Sequence, residues 1–160
     1  MPTHAEKRVL PYSADQLFDL VAGVEAYPKF LPWCSACRVR KRVTLDDGRE
    51  QVDADLVVSF KVFREKFGSR VTLDRANRVI DVEYLDGPFR YLNNHWEFTD
   101  RNDERCDVDF YVDFEFKSRT LQAVIGVVFN EAMQRIVRAF ETRAAEIYGA
   151  PEDASWAAPH

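Results

Sequence analysis

The 160-residue sequence has no run of about 18 apolar residues, so no segment of it is expected to cross a bilayer as a helix. Its N-terminus, Met1 to Arg8, lacks the apolar stretch of a secretory signal. Cysteine is scarce. Cys34, Cys37 and Cys106 are the three present, and without an export signal they are expected as free thiols in a reducing compartment. Excess positive charge is lacking too. A formal net charge of −5 gives no global basic field, so DNA is not an expected partner, and only a local basic patch stays open. There is no glycine-rich phosphate loop and no Ser-His-Asp spacing, and His4, His95 and His160 are scattered. Internal repeats and low-complexity segments are also missing. These absences lead to the expectation of a cytoplasmic protein with a transient, peripheral contact at the inner face of the membrane.

What is present is aromatic. Twelve Phe, six Tyr and three Trp are many for one domain of this size, and each ring carries large apolar area. Residues 4–10 read as a first strand. Ser13-Ala14-Asp15-Gln16 has capping-box spacing and opens a short helix over 13–22, stopped by Gly23. Val24 to Trp33 is a compact turn or helical segment limited by Pro28 and Pro32. From 35 to 116 the period becomes two. Strands are expected over 36–46, 49–60, 62–74, 78–85, 90–100 and 104–116, with Asp47-Gly48 as a hairpin turn and Asp86-Gly87-Pro88 as a break. In the last strand Val108, Phe110, Val112, Phe114 and Phe116 alternate with Asp107, Asp109, Tyr111, Asp113 and Glu115, one dry face and one wet. Ser118 caps a helix over 119–148, about 45 Å long at about 1.5 Å per residue. Its expected apolar stripe runs through Leu121, Ile125, Val128, Ala132, Ile136, Ala139 and Arg143.

Six consecutive strands with short connections make an antiparallel meander whose apolar face must be covered. The long C-terminal helix is the element large enough to cover it. The expected fold class is therefore α+β, a curved seven-stranded antiparallel sheet gripping that helix, with two short helices between strands 1 and 2. The expected domain is 1–148, and 149–160 is expected to be a flexible tail. This pattern by itself leaves a filled core and an open cavity as equal alternatives.

Three stretches carry a resemblance. Tyr27-Pro28-Lys29-Phe30-Leu31-Pro32-Trp33-Cys34 resembles a signature of the coenzyme-Q-binding START proteins, members of the START-like (helix-grip) superfamily. Gly87-Pro88-Phe89-Arg90-Tyr91-Leu92-Asn93-Asn94-His95-Trp96-Glu97-Phe98 is similar to a second motif of that family. Asp113-Phe114-Glu115-Phe116, followed by Phe129, Met133, Ala139, Phe140, Arg143 and Ala144, is similar to a third. The resemblance covers residues 3–148. It implies a non-enzymatic carrier or chaperone for coenzyme Q (ubiquinone) that supports respiration, with no catalytic residues and no catalytic cofactor. A branch of the same family is implicated in ribosome binding, so a ribosome-associated regulator of translation is the alternative. A cyclase-like enzyme on the same fold is the third reading.

The ligand-lining residues expected on this basis are Tyr27, Phe30, Leu31 and Trp33 at one end. From the strands come Phe60, Phe63, Phe67, Tyr84, Phe89, Leu92, Asn94, Trp96, Phe98, Phe110 and Phe114. The helix adds Phe129, Met133, Ile136 and Phe140. A quinone head offers only acceptors and needs a donor, for which Asn94, Tyr84 and Trp96 are candidates. Each buried isoprene unit contributes at most roughly 4 kcal/mol, at about 0.8 kcal/mol per carbon.

Other constellations have plain readings. Cys34-Ser35-Ala36-Cys37 has thioredoxin-like spacing but enters a strand rather than a helix, so no dipole activates a thiolate. Cys34 and Cys37 offer two zinc ligands with no second pair, and no metal is expected. Asp107, Asp109, Asp113 and Glu115 are the wet face of a strand. Arg38, Arg40 and Arg42 are expected on one face of strand two, opposite Val39 and Val43. They form either a solvated edge or a contact for anionic phospholipid or ribosomal RNA.

Overall fold

The structure is a computed structural model that describes residues 3–60, 63–101 and 105–149. The side chains of Phe60 and Phe63, and the expected tail beyond Gly149, lie outside what is described. The chain runs β1 (Thr3–Leu10), α1 (Ala14–Ala22), a 3-10 turn (Val24–Ala26), α2 (Tyr27–Phe30), β2 (Cys34–Thr44), β3 (Glu50–Phe60), β4 (Phe63–Asp74), β5 (Val79–Asp86), β6 (Phe89–Asp100), β7 (Cys106–Phe116) and α3 (Arg119–Tyr148). The strands form one antiparallel sheet in the order β1-β7-β6-β5-β4-β3-β2. The meander is intact, and β1 closes it against β7 with Thr3 opposite Asp113 and Leu10 opposite Cys106.

The helix starts follow their caps. Ser13 Oγ accepts from the Gln16 amide at 3.1 Å, and the Gln16 side chain accepts the Ser13 N–H at 3.0 Å. Ser118 Oγ accepts from the Leu121 amide at 3.2 Å and opens α3. The far end of α3 is tied down by tyrosines. Tyr148 donates its hydroxyl to the Gln16 carbonyl at 2.7 Å, and Tyr12 donates to the Gly149 carbonyl at 3.2 Å. A partly buried ion pair, Arg8 Nη1 to Glu141 Oε1 at 2.9 Å, clamps α3 to the edge strand β1.

Three local expectations change. β2 begins at Cys34 rather than 36 and ends at Thr44. Its ladder starts directly after Trp33, whose carbonyl accepts the Ser59 amide at 2.7 Å, and Leu45 is taken by the turn through a 2.7 Å bond to Arg49. The register also shifts between Val39 and Lys41. A bulge adds one residue and so flips every later side chain to the other face. Arg38 pairs opposite Asp55 on the outer face, but Arg42 pairs opposite Val52 and reaches the 3-10 turn, with Nη2 2.7 Å from Glu25. The three arginines therefore do not share a face. Finally, the buried stripe of α3 is rotated. Phe129, Met133, Val137, Phe140 and Ala144 are its deepest members together with Leu121 and Ala132, while Val128, Ala139 and Arg143 fall to its flank. Large side chains lean toward the helix N-terminus and reach the sheet from there, so the rings set the axis.

Among the described residues, no helix is long and apolar enough to cross a membrane.

Candidate functional site

The sheet and α3 do not close on each other completely. A cavity of about 250 Å³ remains between the inner face of the sheet, the middle of α3 and the segment from α1 to β2. Its floor is built by period-two alternation: Leu56 and Val58 of β3, Phe67, Ser69 and Val71 of β4, Ile80 and Val82 of β5. Leu92, Asn94 and Trp96 of β6 continue it, with Phe110 and Val112 of β7. Met133, Ile136 and Phe140 of α3 form the roof. Val21, Val24, Tyr27, Leu31, Pro32, Trp33 and Cys34 close one end, so the dense segment between the first helix and β2 acts as a lid.

Eleven of the residues expected at the site meet on this cavity: Tyr27, Leu31, Trp33, Phe67, Leu92, Asn94, Trp96, Phe110, Met133, Ile136 and Phe140. Six others are packed beside it. Phe89 is the hub of a ring cluster, with Phe67 at 5.2 Å, Tyr84 at 5.6 Å, Phe114 at 5.7 Å and Phe116 at 4.6 Å between centroids. Phe98 lies against Phe18 at 6.2 Å, and Phe129 against Phe114 at 5.6 Å. Phe30 faces outward from Phe140 and lies under the Arg143 guanidinium at 5.4 Å. Phe60 and Phe63 pair as β3–β4 partners, but their side chains lie outside the described residues. These rings fill the space beside the cavity, because edge-to-face ring pairs satisfy one another.

Two donor candidates change role. Tyr84 accepts the Phe89 amide on its hydroxyl at 3.0 Å, within the ring cluster. Trp96 Nε1 donates to Asn94 Oδ1 at 2.9 Å, and Asn94 Nδ2 donates to the Tyr111 carbonyl at 2.8 Å. Asn94 therefore keeps one N–H free of these bonds. The polar group that sequence reasoning passed over is Ser69. It is 1% exposed, lines the cavity, and donates only a 3.5 Å bond to the Ala54 carbonyl. The alternation that placed Phe67 and Val71 inward places Ser69 between them, so the signal was present.

Trp33 stands out in backbone as well as position. Its φ of +65° lies in the left-handed region, uncommon for a side chain with a Cβ and typical of sites that surrounding structure holds in place. Cys34 is held as a neutral thiol by burial, and burial pushes Cys37 up to about 11. Neither behaves as an activated thiolate. Tyr27, half-buried at the lid, donates to the Val21 carbonyl, and burial pushes its phenol up. Outside the cavity, Arg40 bonds Asp55 and Asp86, and Arg42 bonds Glu25 and Glu50. Among the described residues, no group of three or more His, Cys, Asp or Glu could hold a metal ion.

The chain is similar to known proteins over nearly its whole length. The family model described as "Polyketide cyclase / dehydrase and lipid transport" matches residues 10–141. The ribosome association toxin RatA of Escherichia coli K12 is 36% identical over 150 residues, covering 94% of this chain and 91% of that protein. The mitochondrial coenzyme Q-binding protein COQ10 homolog B of Xenopus laevis is 34% identical, covering 93% of this chain and 60% of that protein. Among solved structures, an 18 kDa protein from Caulobacter crescentus superposes with a TM-score of 0.76 at 42% identity, over 94% of this chain and 100% of its own. The ZhuI aromatase/cyclase of a Streptomyces species shares the fold alone, with a TM-score of 0.74 at 18% identity, over 91% of this chain and 94% of its own. With its helix-grip architecture and these matches, the chain belongs to the START-like polyketide cyclase / dehydrase and lipid transport family.

Proposed function

We propose that residues 1–148 form a lipid-binding domain that holds coenzyme Q, or an isoprenoid lipid like it, under α3 and carries it without transforming it. The observation behind this reading is the cavity of about 250 Å³, whose described lining has no carboxylate, histidine, lysine or arginine. An apolar chain is the ligand class such a lining favours. Two or three buried isoprene units, at roughly 4 kcal/mol each, reach micromolar affinity after ordering costs. Ser69 and the spare N–H of Asn94 supply the donors that a quinone carbonyl needs. General acid–base chemistry needs a titratable group within hydrogen-bond reach of the substrate. The two that titrate here, Tyr27 and Cys34, are both pushed up by burial, which favours a carrier over a cyclase. The likeness to a coenzyme Q-binding protein supports the quinone class.

Lipid extraction and mass spectrometry of the purified protein, followed by titration with a short-chain ubiquinone, tests the reading. A copurified or titratable quinone is expected. Finding no quinone by either route would overturn it.

A second reading, contact with the ribosome, is favoured by a surface hollow between α2 and α3 where exposed Lys29, Arg135 and Arg138 surround Phe30, and by the likeness to ribosome association toxins. Salt-sensitive co-sedimentation with ribosomes, lost in Lys29→Glu/Arg138→Glu, would support it.

A further inference from the structure

α3 changes character along its length. From Glu131 onward its outer side carries Glu131, Arg135, Arg138 and Glu146, as a solvated helix should. From Thr120 to Asn130 there is no charged residue at all, over about 16 Å of helix. Yet its outer side is not covered. Val127 is 86% exposed, and Ala123 and Gly126 are exposed beside it. A small apolar hollow of about 60 Å³ opens next to it, between Leu121, Val124 and Ile125 of α3, Phe67 and Phe89 of the sheet, and Pro88 in the β5–β6 turn. Val58 and Phe67 line both this hollow and the main cavity, so they form the wall between the two.

The charges at this end point the same way. Lys117 and Arg119 bracket the cap of α3, both exposed and without an ion-pair partner among the described residues. The first turn holds no acidic residue, so Arg119 sits where the helix dipole disfavours a cation. On the neighbouring end of β4, Arg64 and Lys66 are also exposed, but they pair opposite Ser59 and Val57 on the outer face of the sheet, away from α3. Of the acidic groups nearby, Glu115 is paired with Arg90 at 3.6 Å and Asp86 with Arg40, Asp55 faces Lys66 on the outer side, and Glu65 lines the hollow itself. An acidic protein thus sets two unpaired cations, Lys117 and Arg119, beside the uncovered, charge-free side of this helix end. The chemistry that satisfies both at once is an anionic phospholipid surface, with acyl chains for Val127 and headgroups for the cations.

We propose that the N-terminal third of α3, with Lys117, Arg119 and the β5–β6 turn at Pro88, is the face by which this protein docks on an anionic bilayer. Docking there puts the hollow, and the Phe67 wall of the cavity behind it, against the membrane. That last step rests on the lipid-carrier reading, and the docking itself does not.

Flotation with vesicles of phosphatidylcholine alone and of phosphatidylcholine mixed with phosphatidylglycerol tests it. Wild type is expected to bind the mixed vesicles, less so as salt rises. Val127→Asp is expected to weaken binding about tenfold, and Lys117→Glu/Arg119→Glu at least about tenfold, since each cation near the surface is worth about fivefold. Val43→Asp, an exposed apolar site on β2, is expected to bind as wild type. Circular dichroism checks the folds. Val127 touches little, and a glutamate at residue 119 suits a helix N-terminus. No binding of wild type to the mixed vesicles, or equal binding by all variants, overturns the proposal. So does loss of ribosome co-sedimentation in these variants with vesicle binding unchanged. Quinone titration of Val127→Asp in detergent keeps the two proposals apart. If vesicle binding is lost as expected while no form of the protein binds quinone, docking stands and the carrier reading falls.

Discussion

The two faces of the sheet are made by the same strands and treat their side chains in opposite ways. On the inner face, Phe67, Ile80, Trp96, Phe110 and Phe114 are buried and touch one another or α3. On the outer face the residues between them form charge pairs: Asp53 with Arg70 at 2.9 Å, Asp55 with Arg40, and His95 between Asp81 and Glu97. Deleting an inner ring removes buried area and leaves a void, at several kcal/mol. Breaking the exposed pairs of His95 with Asp81 and Glu97 costs about 0–1 kcal/mol. The difference teaches that stability and ligand capacity draw on the same inner surface. The fold resolves this by concentrating rings into the Phe89 cluster at one end and the Trp96–Phe140 contact, 5.3 Å between centroids, at the other, and leaving room between.

The largest break in the comparison is expected from Phe89→Ala, which empties the hub of the inner cluster. A loss of about 3–5 kcal/mol should appear as a lower urea midpoint. Gly87→Val comes next. Gly87 has φ +135°, and a Cβ there would lie 2.6 Å from Phe67 Cβ, so about 1–3 kcal/mol of destabilisation is expected in the same assay. Ser69→Ala separates the two uses of the inner face. Stability should change by less than about 1 kcal/mol, while quinone affinity falls about fivefold, the worth of one hydrogen bond. A polyprenyl hydrocarbon without carbonyls should bind both forms equally by fluorescence titration. If the two ligands respond alike, Ser69 is not the polar contact.

The smallest effect belongs to the outer face and depends on pH. Hydrogen bonds from Arg70 and Arg40 hold the Asp53 and Asp55 carboxyls below their ordinary 3.8. Their contribution is complete above that value and is lost as pH falls through the lowered folded values. Burial alone would lower the pKa of His95, but its bonds to Asp81 and Glu97 outweigh this and raise it above 6.5. Its contribution is complete below 6.5 and fades as pH rises through the raised value. Urea midpoints should therefore be highest between about pH 4 and 6.5. His95→Asn should flatten the upper side by under about 1 kcal/mol.

Much of the fold was legible because period-two and helical patterns are local. Val108 to Phe116 announced a strand with one dry face, and Ser13 and Ser118 announced helix starts, all within a few residues. The bulge at Arg40 was not legible, since an extra residue in a ladder depends on what lies across it, and with it went the shared face of Arg38, Arg40 and Arg42. For the candidate site, the motif segment from Tyr27 to Trp33 and the inward positions of β4 and β6 were readable. What could not be read was which rings satisfy each other. Phe98, Phe114 and Phe129 pack against other rings beside the cavity, and Phe89 is the hub of its ring cluster and lines the smaller hollow.

By itself, then, the sequence determined the order of elements, the inward and outward sets of each strand and the charge-free stretch from Thr120 to Asn130, because each follows from side chains near one another in the chain. Tertiary structure alone decided the rotation of α3, the exposure of Val127 and the volume left between sheet and helix. Those depend on how rings from distant strands interlock, and on how far they hold the helix from the sheet.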